Sequence, residues 1–128
     1  KAFPEEYEIM LNNIPGVKDS FVWGNKASDG DVQICAKLVV DKEKISNEKG
    51  FMPSEKELAE QFDAAIRAIN KTMPKYKIIR YFVLTEEELV KANGIKIKRH
   101  VELEKVRNML DKAGIDIRKA SGKFIERL

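Results

Sequence analysis

The stretch from Ser54 to Leu84 restricts the fold more than any other. Ser54, with Glu57 three places on, has the form of a capping box. Leu58, Phe62, Ile66 and Ile69 then recur at helical spacing, and Pro74 stands just past the stripe. "KYKIIRYFVL" follows, a strongly apolar run that predicts a strand central in a sheet. A helix with one apolar stripe feeding such a strand has to lay that stripe on a sheet, so the chain builds helix on sheet.

The remaining segments fit that frame. "FPEEYEIMLNNIPG" reads as a helix with Pro4 in its first turn, acids at its positive end and Pro15-Gly16 as its stop. "VKDSFVWG" is a short strand ending at Gly24, and "NKASDGD" a turn-rich connector. In "DVQICAKLVVD" Val32, Ile34, Ala36, Leu38 and Val40 share one face, and Gln33, Cys35 and Lys37 the other. Residues 42–53 form a charged loop. "TEEELVKANG" is one capped turn and then a turn at Asn93-Gly94. "IKIKR" alternates like a strand, with Lys96 and Lys98 opposite Ile95 and Ile97. A last helix from about Arg99 to Ala113 presents Leu103, Val106, Met109 and Leu110, with Gly114 as its C-cap. The tail from Ile115 carries no decisive pattern. The result is an α+β fold: one domain over residues 1–128, with a small sheet of few strands covered by about three helices.

Several function classes are excluded or disfavoured. The chain begins at Lys1 rather than Met, which suggests a processed or excised piece, and its acidic start does not resemble a signal peptide. No run approaches a membrane span, and a single cysteine fits a reducing, cytoplasmic setting. With one Cys and one His, no metal site is expected. Cys35 has no activating partner in sequence, His100 falls at a helix start as a surface residue, and no nucleophilic triad can be assembled. The glycines are scattered, so no phosphate loop is present. Charge is uneven: residues 91–128 carry 11 Lys and Arg against 5 Asp and Glu, whereas residues 1–90 carry 13 against 16. A basic final third suits an anionic partner; solvated helix surface is the simpler account. Lys96 and Lys98 on a short strand fit either an edge guarded against aggregation or a cation that must reach a negative charge.

The order of the segments favours the second account. "FPEEYEIMLNNIPGVKDSFVWG" resembles the P-E-E-I-E helix, turn and Gly-ended strand that follow the hinge in AMP-forming acyl-CoA synthetases. "DVQICAKLVV", with Gly30-Asp31 before it and Ala36 within it, is similar to that family's next strand. "IRAINKTMPKYKIIRYFVL" resembles its helix, "LP-x-YK" step and strand, and "GIKIKR" falls where the family carries T-G-K-I-x-R. The resemblance covers about Phe3 to Leu110. Ile95 stands where the common motif has Gly, and Ala92 and Gly94 replace threonines. The bulky residue before the lysine is similar to the long-chain fatty-acyl branch, T-x-T-x-K-I-K-R.

The resemblance implies the mobile C-terminal lid of a ligase that uses ATP, CoA and a fatty or other carboxylic acid, with Mg2+ held outside this domain. Lys96 is then the catalytic cation of acyl-adenylate formation, Lys98 a helper at the interface, and Arg99 a bridge to phosphate or to an acid. The partner is the N-terminal adenylation domain of the same chain, and the piece alone is expected to be a monomer without activity. In the full enzyme a peripheral membrane association is compatible with this reading. The lid of a peptide-synthetase or luciferase-type enzyme, and a small basic nucleic-acid-binding module, are the alternatives. Ile95 speaks against the first, and the five ordered segments against the second.

Overall fold

The computed structural model describes residues 3–128. The elements run α1 (Pro4–Asn12), β1 (Val17–Lys26), β2 (Val32–Val40), α2 (Lys42–Lys49), α3 (Glu55–Asn70), β3 (Ile79–Thr85), β4 (Lys91–Ala92), β5 (Lys96–Ile97), α4 (Arg99–Ala113) and α5 (Ile117–Ala120). The class is α+β, as expected. The main sheet has the order β1-β2-β3, with β1 and β2 antiparallel and β2 and β3 parallel. A parallel pair needs a crossover, which α2 and α3 supply.

The sheet is buried on both faces. Val22, Ala36, Leu38, Phe82 and Leu84 pack with Tyr7 and Leu11 of α1 and with Leu58, Phe62 and Ile66 of α3. On the other face Phe21, Trp23, Cys35, Val39 and Val83 meet Val106 of α4 and Ile117 and Ala120 of α5. The period-2 alternation therefore sorts residues between two cores rather than between core and water. α3 has its capping box, with Ser54 Oγ accepting from the Glu57 N–H and Glu57 Oε1 from the Ser54 N–H, both at 3.1 Å. No helix among the described residues is long and apolar enough to cross a membrane.

Four local expectations are corrected. Residues 42–49 are the helix α2, not a loop: Asp41 caps it by accepting from the Lys44 N–H, and Gly50 ends it in the left-handed region. Its one buried residue is Ile45, so no apolar stripe marks it in the sequence. Ile45 packs onto Gly16, where an added Cβ would come within 2.8 Å of Ile45 Cδ1. β1 continues past Gly24 to Lys26. β3 is an edge strand, with β2 the central one. Residues 86–88 form no helical turn; Thr85 Oγ1 accepts from the Glu87 N–H at 3.0 Å, and the acids reach Lys42, Arg127, Lys105 and Lys18 instead.

The tail accounts for the apolar character of β3. The Gly122 N–H donates to the Phe82 carbonyl at 2.7 Å, the Leu84 N–H to the Lys123 carbonyl at 2.9 Å, and the Phe82 N–H to Ser121 Oγ at 3.2 Å. Phe124 and Ile125 are buried, one in each core. The tail thus covers the edge that β3 would otherwise leave unpaired.

Cys35 is fully buried, and burial pushes its thiol up to about 12. The thiolate is then scarce near neutral pH, so alkylation should proceed only through opening of the fold. The check is labelling by a maleimide in buffer and in denaturing urea: rapid labelling in buffer alone would contradict the packing of this face.

Candidate functional site

The basic segment forms a small hairpin beside the main sheet. Lys91 and Ala92 pair with Ile97 and Lys96. The turn runs through Asn93 and Gly94, with φ of 54° and 70°, and the Ile95 N–H donates to the Ala92 carbonyl at 3.1 Å. Positive φ at two successive positions is the backbone that Asn-Gly adopts most readily. Ile97 is half-buried against the α4-side core, so strand alternation sends Lys96 to the opposite side, toward water. Ile95 does not share the face of Ile97, contrary to the alternation read from the sequence. Because Ala92 pairs with Lys96, Ile95 is left in the turn, 83% exposed.

The base of the hairpin is tied in three places. Lys91 Nζ lies 2.6 Å from Asp19 Oδ2 on β1. The Lys98 N–H donates to the Val90 carbonyl at 2.9 Å, and the Val90 N–H donates to Glu102 Oε2 at 2.7 Å. Arg99, at the start of α4, donates from its two terminal nitrogens to the two oxygens of Glu8, at 2.8 and 2.6 Å. That hydrogen-bonded carboxylate holds the guanidinium further above its ordinary pKa. Glu8 Oε2 also accepts from the Val22 N–H at 2.8 Å, joining α1, β1 and α4 at one buried carboxylate. Of the two roles left open for Arg99, the geometry supplies the acid bridge.

Under the hairpin lies a fully buried ion pair. Lys37 Nζ is 2.6 Å from Glu102 Oε1, and the side chains are 2% and 0% exposed. In the sheet register Lys37 sits between Phe21 and Val83.

The structure therefore places the three motif cations differently. Lys96 is exposed near the hairpin tip and Lys98 is exposed at the N-cap of α4; neither side chain makes an ion pair or hydrogen bond among the described residues. Arg99 is engaged. His100 is exposed. Sequence reasoning missed Glu8, Lys37 and Glu102. A signal existed for one of them: Glu102 stands four residues before Val106 inside the buried stripe of α4, whereas Lys37 shares its strand face with Gln33. The uneven charge also finds a cause, since Lys91, Arg99, Lys105 and Arg127 of the basic end pair with Asp19, Glu8, Glu87, Glu55 and Glu86 of the acidic part. Among the described residues no three His, Cys, Asp or Glu side chains are grouped to hold a metal ion.

No family model matches the chain, and no curated protein does. Solved structures do. The apo form of MatB from Rhodopseudomonas palustris is 20% identical, with a TM-score of 0.60 over 84% of this chain and 19% of that one. A benzoate CoA ligase from Burkholderia xenovorans LB400 is 28% identical, with a TM-score of 0.55 over 77% of this chain and 18% of that one. A fatty acyl CoA synthetase of Mycobacterium tuberculosis is 21% identical, with a TM-score of 0.57 over 80% and 17%. The chain thus spans less than a fifth of the proteins it resembles. It has the fold of the C-terminal domain of adenylate-forming enzymes.

Proposed function

We propose that the chain is the mobile C-terminal lid of an ATP-dependent, AMP-forming acyl-CoA ligase, and that Lys96 is the catalytic cation it delivers. The observation that carries this reading is the hairpin: its base is tied to β1 and α1 by ion pairs and to Glu102 of α4 by the Val90 N–H, yet Lys96 is left exposed without a partner among the described residues. In such a ligase the acyl carboxylate attacks the α-phosphate of ATP and pyrophosphate leaves. CoA thiol then attacks the acyl carbonyl and AMP leaves. The first step brings anion toward anion, and a fixed cation between them stabilises its transition state. Lysine suits the task as a compact charge on a long stem.

ATP-bound forms occur among the similar structures, and CoA ligases as well, which supports both as co-substrates. Exposed Lys96 and Lys98 fit a phosphate-bearing ligand; Mg2+ is assigned to the other domain. The long-chain fatty-acyl branch rests on the bulky Ile95 before the lysine. The partner is an adenylation domain in the same polypeptide, met through a modest polar interface, because a lid that turns between two half-reactions cannot be held by a large apolar one.

The test separates folding from chemistry. This chain alone should melt cooperatively by circular dichroism and give no ATP–pyrophosphate exchange, whereas the same chain joined to its adenylation domain should give both. Exchange above background by the chain alone would refute the reading.

A further inference from the structure

Buried ion pairs contribute little net stability, and an apolar pair of the same volume often does as well or better. Lys37 and Glu102 therefore call for an account other than stability. What the pair does, and an apolar pair could not, is hold the second carboxylate oxygen, Oε2, at 2.7 Å from the Val90 N–H. Val90 is where the two legs of the hairpin meet, since its carbonyl accepts from the Lys98 N–H. The hairpin has two residues on each strand and shares no ladder with the main sheet. Its orientation is consequently set by side chains, and the deepest of these is a carboxylate clamped by a lysine of the central strand.

We propose that Glu102, held by Lys37, is a positioning residue for Lys96: it fixes the base of the hairpin against β2 so that the ammonium near its tip is presented at one place. The catalytic half of this inference rests on the reading of Lys96 given above; the structural half does not. Lys91–Asp19 and Arg99–Glu8 remain when the pair is removed, so the effect is a graded loss of precision rather than collapse of the hairpin.

Two double variants make the test. Lys37→Met/Glu102→Leu removes both charges and the acceptor for Val90. Lys37→Met/Glu102→Gln removes both charges and keeps an acceptor. In this chain, amide exchange at Val90 and Lys98 should quicken by about tenfold or more in the first variant and return most of the way in the second. In the longer enzyme the first variant should slow adenylate formation by about 10–10² at unchanged KM for ATP, since about an ångström of misplacement has that scale of cost. The glutamine variant should rescue it, and the thioester half-reaction should not respond.

If the leucine variant fails to fold, Lys37→Met/Glu102→Met repeats the comparison with side chains that adapt to the space. Equal exchange and equal rates in the acceptor-keeping and acceptor-lacking variants overturn the proposal. A difference in exchange, together with full adenylate formation by Lys96→Ala, overturns the reading of Lys96 instead and takes the catalytic half of the inference with it.

Discussion

On the proposed reading, Lys96→Ala in the longer enzyme should slow acyl-adenylate formation by about 10²–10³, the range for losing one preorganised electrostatic group. The size follows from when the charge is needed. Repulsion between the carboxylate and the triphosphate peaks as the two close, so a cation placed between them lowers the barrier more than it tightens ground-state binding. kcat for the first half-reaction should therefore fall while KM for ATP changes little. The thioester half-reaction, started from synthetic acyl-adenylate and CoA, should be nearly untouched, because the proposed lid rotation would by then have carried the lysine away. Lys98→Ala should cost much less, as a neighbouring solvated lysine contributes mainly a screened field. The melt should not move, since Lys96 is exposed and makes no ion pair. Equal damage to both half-reactions would mean that Lys96 serves structure, and the hairpin would revert to a guarded edge.

The second large effect lies at the other end of the last helices. Phe124 is 1% exposed in the core shared by α1 and α3, with the Lys42 ammonium and the Arg127 guanidinium over its ring. Phe124→Ala should lower stability by about 3–5 kcal/mol, the usual cost of truncating a buried phenylalanine. Deleting residues 121–128 also removes Ile125 and the hydrogen bonds along the outer edge of β3. Against a whole-domain stability of about 5–15 kcal/mol, that loss should leave the chain largely unfolded or associated through the bared strand. Urea melts of the point variant and size-exclusion profiles of the truncated chain read the two effects. A truncated chain that stays monomeric and melts at the wild-type midpoint would show that the tail is an ornament on a sheet complete without it.

What could be read from the sequence followed from how each element is signalled. α3 announces itself through its capping box, a 3.6-period stripe and a following Pro, and α4 through its stripe and terminal Gly; the cap of α3 and both limits of α4 agree with the structure. α2 was invisible because it buries a single side chain, and the tail because eight residues that complete another strand's edge have no period of their own. The apolar run of β3 suggests a central strand, yet β3 lies at the edge of the sheet. An apolar run reports that both faces and one edge are covered, without saying whether a strand or a tail covers the edge. At the site the motif cations were legible as residues, and the structure leaves Lys96 and Lys98 exposed. The acids that hold the hairpin were less so: Glu102 is marked by its place in the stripe of α4, but Glu8 and Lys37 read as surface by default, and tertiary contact is what shows them spent inside.

The tie between Arg99 and Glu8 joins residues 91 positions apart in the chain. Loop closure over such a span is not much costlier than over half of it, but it must precede any reward from the contact, so topology of this kind slows folding. The parallel pairing of β2 with β3 adds a second non-local step. Refolding should therefore run in the millisecond-to-second range, with helical signal returning before the α1–α4 junction closes. In that interval the chain already possesses its turn and its lysine, yet nothing aims them. For a domain of this build, the aim of the hairpin is a late event on the folding path, and a mutation at Glu8 would be felt first as faster unfolding.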